Sequence, residues 1–330
     1  MIIVTIIVFL FFYLSCWNYS NISYKYIFIF LFLIFACYLR SIIPIELNKD
    51  YYGYFEFYNF EDSENILGFL ISEPYLYLVY KFFKFFIIDH TSIINLIYLF
   101  NFILINIFFV WLARKNDLNV WKKIIFLVFY YFLFAYITLR NAPAYVLFSV
   151  FCYYAYRNKK FNTILLMPFM HLSTLPFLIS IFHNKKNYTR YLFLMFLLLT
   201  PVLLFYIFPL LNSLTEFNHL TNKSNAYLVE ELNAGKFHYI YLAFISIICL
   251  KLFLFDKIFH PILITTIVFY YVAFYLNPVL GFRYSPYFFM AWLTLKTRKN
   301  TNSKIIYYFN LSSFATVIFF IFTLYDTHFL

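Results

Sequence analysis

Three arginines stand where apolar runs end: Arg40 in "CYLR", Arg140 in "TLRNAP" and Arg283 in "NPVLGFRYSP". A guanidinium offers planar, paired N–H donors that match phosphate oxygens. Arginine at membrane depth is costly and usually faces a cavity. Any one of the three alone reads equally well as an anchor at the bilayer surface. Three on one side, two of them in turns broken by proline, read as a site for a diphosphate. Helix starts expected after Pro143 and Pro286 would aim backbone N–H groups at the same anion.

The frame that must hold them is a membrane bundle. The chain has 330 residues, 64% of them hydrophobic, 27% aromatic and only 12% charged. Its mean hydropathy is +0.78. Apolar runs near the ~20 residues that a spanning helix needs recur along the whole sequence. The expected fold is all-α: a polytopic transmembrane helical bundle, one integral membrane domain over residues 1–330. The first run, "MIIVTIIVFLFFYLSCW", has no basic leader and no small-residue cleavage site, so it is expected as a retained helix.

Lys and Arg gather at Lys25 and in the loops 114–123, 157–160, 185–190, 251–257 and 296–304. The positive-inside rule places these loops in the cytoplasm. Of the acids, only Asp117 and Asp256 fall among them. The spans then fall at 2–17, 25–44, 93–113, 123–139, 143–156, 191–211, 237–255, 260–280, 284–296 and 304–325. That gives about ten crossings, with both termini outside.

Two further segments do not fit as crossings. Residues 74–88 are expected as an interfacial or re-entrant helix, with Lys81 and Lys84 reaching the headgroups. Residues 161–182 are broken by Pro168 and Pro176 and are expected as a re-entrant pair dipping to His171. A crossing there would carry Lys185, Lys186 and Arg190 outside. Two large outer loops, 46–73 and 212–236, mix acids with Tyr and Asn. That composition suits sugar hydroxyls, and equally a solvated lid.

Several chemistries are excluded. Gly53, Gly68, Gly235 and Gly281 lie too far apart for a phosphate loop or a dinucleotide fingerprint. Cys16, Cys37, Cys152 and Cys249 lie in separate apolar runs and read as small core residues. No His or carboxylate cluster has metal-ligand spacing, so no metal and no cofactor are expected. His90, His183, His219, His238, His260 and His328 lie near loops or ends and read as surface. The net charge of +11 follows the topology, and nucleic acid is not an expected partner.

Four segments, in order, resemble one family. "YLRSIIPIELNKDYYGYFEFY" resembles the Arg–spacer–Asp–x–x–x–Tyr segment after the second helix of EpsG-like and Wzy-type polysaccharide polymerases. Arg40, Asp50 and Tyr54 stand in the matching places. "SEPYLYLVYKFF" is similar to the Glu-Pro segment that follows, with Glu73 and Pro74. Residues 138–182 resemble the central block of an Arg, a helix, a basic loop and a helix carrying a His, here Arg140 and His171. "GFRYSPYFF" resembles the late Arg-aromatic motif, with Arg283 and Tyr284. The likeness runs from about residue 1 to 296. It departs at Lys49, where the family has Gly, and at Pro143, where small residues and Gln are usual.

The resemblance implies a polymerase that joins undecaprenyl-diphosphate-linked oligosaccharide repeat units at the outer face of the bacterial inner membrane. It implies an enzyme that needs neither metal nor nucleotide. Arg40, Arg140, Arg283, Tyr284, Tyr54 and Glu73 would bind the lipid diphosphate and glycan. Arg140 and Arg283 would together meet the charge that develops on the leaving group. His171 or Asp50 would be the base for the acceptor hydroxyl, although a buried His is more often a packed, hydrogen-bonded residue. Membrane lipids, a flippase and a chain-length regulator are the further expected partners, and the polymer is an O-antigen, capsule or exopolysaccharide. Three alternatives stand beside it. A glycosyltransferase using a polyprenyl-phosphate sugar often carries an acidic pair in its first outer loop, as Glu61-Asp62 does here. An O-antigen ligase would take lipid A as acceptor. A lipid-linked glycan transporter would be expected to show an internal repeat, and none is visible.

Overall fold

The computed structural model describes residues 1–45, 51, 55, 74–159, 161–182, 236–255 and 260–295. The expected spans 191–211 and 304–325 lie outside the described residues. So do nearly all of both outer loops, together with Asp50, Tyr54 and Glu73.

Among the described residues all regular structure is helical. In chain order it comprises α1 (Ile2–Ser15), α2 (Ile22–Ile42), α3 (Pro74–Lys84), α4 (His90–Arg114) and α5 (Val120–Phe132). A π-helical turn (Leu133–Ile137) continues α5, and α6 (Ala142–Ala155) follows. A 3-10 turn (Thr163–Leu166), the short α7 (Met167–Met170) and a second 3-10 stretch (Leu172–Phe182) come next. The last elements are α8 (Lys236–Leu250) with a π turn (Lys251–Phe255), α9 (Pro261–Leu276) and α10 (Pro278–Thr294). Three runs are long and apolar enough to cross a bilayer: α2, α4 and Val120–Ile137. At about 1.5 Å per residue, the 21 residues of α2 reach the ~30 Å of a hydrocarbon core. The chain is a helical membrane protein.

Side-chain caps fix where the helices begin. Asn21 accepts from the Ser23 N–H at 2.9 Å, and Asn119 accepts from the Trp121 N–H at 2.8 Å. Asp89 accepts from both the N–H and the hydroxyl of Ser92, at 2.9 and 2.6 Å. Those two bonds hold the Asp89 carboxyl below the usual carboxylate range, with the hydroxyl the larger cause. Each cap satisfies an N–H that the first turn leaves over.

The chain divides into two compact units, each discontinuous in sequence. The first comprises Met1–Asn59, Leu78–Val146 and Leu293–Leu330; the second comprises Phe60–Tyr77 and Leu147–Trp292. In the first unit α1 and α2 pair through stacked Phe11 and Phe35, 5.3 Å apart. Phe12 packs on Phe32 and Phe109, and Phe109 on Tyr131, which joins α1, α2, α4 and α5 in one aromatic core. A polar pair sits inside it, the Tyr131 hydroxyl donating to Asn106 Oδ1 at 3.2 Å. The outward residues of these helices, such as Ile3, Phe30 and Ile107, are apolar and exposed, as a lipid-facing surface requires.

The second unit contains α8, α9 and α10. Tyr239 and Ser246 of α8 meet Phe274 and Tyr271 of α9, so these two helices run antiparallel. Tyr241 and Phe244 meet Phe282 and Phe289 of α10, so α8 and α10 run parallel. The chain therefore reverses between α9 and α10. Asn277 is the single residue between them, extended at φ −159°, ψ 123°. Its N–H donates to the Ala273 carbonyl at 2.9 Å, while its Oδ1 accepts from the Val279 N–H at 2.8 Å.

This corrects the expected helix start near residue 284. Pro278 can open a helix because the first turn needs no N–H from it. Pro286 does not break the helix but lies within it. It removes the N–H that the Phe282 carbonyl would accept, and the Ser285 hydroxyl donates to that carbonyl instead, at 2.7 Å. Ser285→Ala would leave the carbonyl unmatched in a buried helix. We expect a loss of about 1–2 kcal/mol, read as earlier thermal unfolding in detergent. Ser285→Thr, which keeps the hydroxyl, should retain most of the stability.

The segment Pro74–Lys84 is an 11-residue helix, too short to cross. Phe82, Phe85, Phe86 and Ile88 in and after it are well exposed, as an interfacial segment needs.

Candidate functional site

Arg140 lies in the turn 139–141, between the π turn and α6, and is half-buried. The π turn sets its place. In an α-helical register the Thr138 N–H would bond the Phe134 carbonyl. Here the N–H and hydroxyl of Thr138 both donate to the Leu133 carbonyl, at 2.8 and 3.0 Å. The Phe134 carbonyl is thereby released, and the Asn101 side-chain amide of α4 donates to it at 2.7 Å. Asn101 is 2% exposed, and its Oδ1 has no partner among the described residues. Single π turns inside α-helices recur at functional positions.

Arg40 closes the last turn of α2. One guanidinium nitrogen donates to the Ile43 carbonyl at 3.0 Å, and the group lies 5.6 Å from the ring centre of Tyr136. Tyr136 belongs to the π turn and precedes Arg140 by four residues. The first unit thus brings Arg40 and Arg140 to the same end of the bundle. Buried amide oxygens accompany them: Asn141 Oδ1, like that of Asn101, has no partner among the described residues.

His171, Arg283 and Tyr284 belong to the second unit. His171 interrupts 161–182, in an extended conformation at φ −159°, ψ 126°, between α7 and the second 3-10 stretch. Its N–H donates to the Met167 carbonyl at 2.9 Å. Its own carbonyl accepts from the Thr174 N–H and hydroxyl, at 3.1 and 2.7 Å. The break falls on the histidine, while Pro168 sits in the first turn of α7 and Pro176 within the 3-10 stretch. Phe177, in the 3-10 stretch that follows His171, packs on Tyr284 at 5.8 Å and on Tyr287 at 4.1 Å.

Arg283 lies on α10, five residues past its first residue, Pro278, and is half-buried. At ~1.5 Å per residue that is about 7 Å along the helix from the reversal. The expected placement in a broken turn is therefore corrected, and so is the anion site expected at Pro286. The α10 start holds its own N–H groups: Val279 and Gly281 donate to Asn277. Ahead of Arg140, α6 begins at Ala142, with Pro143 inside its first turn.

Tyr51 and Phe55 are the described residues of the first outer loop. Tyr51 is buried against Tyr98, and the Phe55 carbonyl accepts from His90 Nε2 at 2.8 Å. A carbonyl only accepts, so Nε2 donates, and in the neutral ring Nδ1 accepts from the Tyr80 hydroxyl, also at 2.8 Å. His90 is thus not a surface residue but a half-buried clasp between this loop, α3 and α4. His260 likewise has a fixed role, its Nδ1 accepting the Ile262 N–H at 3.3 Å to cap α9. Cys37, expected in the core, is exposed on α2, whereas Cys16, Cys152 and Cys249 are buried.

Sequence reasoning missed Asn101, Thr138, Asn277 and Ser285. The available signal for the first was the row of three amides, Asn95, Asn101 and Asn106, in a helix otherwise mostly apolar. No family model matches the chain, and neither a curated protein nor a solved structure does.

Proposed function

We propose that this chain is a glycan polymerase of the bacterial inner membrane, acting on undecaprenyl-diphosphate-linked repeat units at the outer face. The observation that carries the reading is the gathering of Arg40 and Arg140 at one end of the first unit, with the Arg140 turn held by Asn101. The ordered resemblance of the Arg, Asp, His and Arg-aromatic segments to Wzy-type polymerases supports it.

In the reaction, the bond between the donor sugar's anomeric carbon and the diphosphate breaks. A hydroxyl of the acceptor unit forms the new glycosidic bond. Undecaprenyl diphosphate leaves with the electron pair, and the hydroxyl proton passes to a base, for which Asp50 is the candidate beside these arginines in the sequence of the first unit. Arg40 and Arg140 meet the charge that develops on the diphosphate. The buried amide oxygens of Asn101 and Asn141 suit the hydroxyl groups of a sugar. His171, Arg283 and Tyr284 belong to the other unit, and their contribution is measured separately.

Purified protein should lengthen lipid-linked repeat units without nucleotide sugar and in the presence of a chelator. Cells lacking the gene should carry glycan of a single repeat. A requirement for a nucleotide sugar or a divalent ion would replace this reading with a different enzyme class.

A further inference from the structure

The first unit carries a second cationic cluster, apart from Arg40 and Arg140. Lys25 is 6% exposed, Lys122 8% and Lys123 0%. Lys25 Nζ donates to the side-chain oxygen of Asn116, which ties the start of α2 to the turn after α4. Lys123 Nζ approaches the Ala113 carbonyl in the last turn of α4 at 3.5 Å, and Lys122 Nζ approaches the Leu295 carbonyl at 3.4 Å. Arg114 and Lys115 add charge to the same turn, and Asp117 is its one acid.

Lysines that cap helix carbonyls explain part of this arrangement. They do not explain all of it. An ammonium has three donors, and the contact of Lys123 is longer than the roughly 2.7–3.2 Å of a normal N–H···O bond. Burying such a charge is costly unless a counter-charge meets it, and the one carboxylate of Asp117, which acts on Lys123, faces five basic side chains. The surroundings say where the counter-charge comes from. The cluster lies at the ends of α2, α4 and the run Val120–Ile137, which are long enough to span a bilayer. Tyr24, Tyr26, Ile27 and Trp121 beside it are exposed, an aromatic and aliphatic rim of the kind found at headgroup level. The basic-loop rule puts this end at the cytoplasmic face.

We propose that Lys25, with the charge of the buried Lys123 behind it, binds the phosphate of an anionic phospholipid headgroup in the cytoplasmic leaflet, with Arg114 at the rim. Basic clefts between helices on that side suit such headgroups. The site stands independently of the polymerase reading, and its assay reads lipid, not glycan.

The test compares wild type, Lys123→Met and Lys25→Gln. Each is reconstituted in nanodiscs of phosphatidylcholine alone or mixed with phosphatidylglycerol, then extracted and weighed with its retained lipid. Wild type should keep phosphatidylglycerol in preference, and that preference should fall about fivefold for each lysine removed. Phosphatidylglycerol should also raise the unfolding temperature of wild type more than that of either variant. Lys25→Gln carries the test if Lys123→Met fails to fold, because its ammonium reaches the exposed Asn116. Equal retention of both lipids by wild type, or a preference unchanged in the variants, would make these lysines helix caps alone. Equal stabilisation by inorganic phosphate in phosphatidylcholine nanodiscs would make the ligand a soluble anion and overturn the lipid assignment.

Discussion

Arg140→Lys is expected to leave protein level and detergent stability near wild type and to cut polymerisation about tenfold or more. An anchoring arginine would need only its charge and length, and lysine keeps both. A diphosphate uses the planar fork, which lysine lacks. Tenfold corresponds to about 1.4 kcal/mol of lost transition-state stabilisation, less than one charge-assisted hydrogen bond can contribute. Arg40→Lys should cost less, because one Arg40 nitrogen is already committed to the Ile43 carbonyl. If both bind one group, the double change should fall short of the product of the single effects. Chain-length distributions of lipid-linked glycan, set against protein amount, decide the matter. Normal polymer from Arg140→Lys, or failure that only follows loss of protein, removes Arg140 from the site.

Gly281→Ala should destabilise the protein although alanine is the better helix former. The propensity gain is at most about 1 kcal/mol. Against it, a Cβ at 281 would stand 2.7 Å from the Phe274 Cα and 2.8 Å from its Cβ. Those are atoms of the facing helix's main chain and its root, which cannot swing aside. Forcing α9 and α10 apart costs about 1–3 kcal/mol by the usual scale for overpacking, so the clash outweighs the propensity. Unfolding in detergent should shift to lower temperature, and activity should fall too, since Arg283 lies two residues along the displaced helix. A variant as stable as wild type would show that the two helices can separate at little cost.

The helices were legible from hydropathy, and their ends were not. The sequence reading starts three of them at 25, 93 and 123, at or after the last polar residue before a long apolar run. The structure starts them at Ile22, His90 and Val120. Asn21, Asp89 and Asn119 cap those starts, so each helix continues beyond the depth at which its side chains turn polar. Hydropathy reports where lipid stops, and capping reports where hydrogen bonding stops. The prolines at 278 and 286 looked alike as breaks, yet Ser285 repairs the carbonyl that the second exposes, so only the first marks an end. Arg40, Arg140 and His171 were found because charge and breakage stand out in an apolar chain. The π turn and its Asn101 support were not, because their bond joins residues 33 apart in sequence and no local period announces it.

The reversal at Asn277 also bears on how the chain is made. A single residue, some 3–4 Å of chain, separates the last turn of α9 from the first turn of α10. There is no connecting loop for water to hold outside while one helix waits for the other. A nascent chain that has released only α9 has not yet made the glycine surface on which Phe274 rests. The packed edge of α9 is therefore complete only once α10 has been made, and the two helices close as one unit.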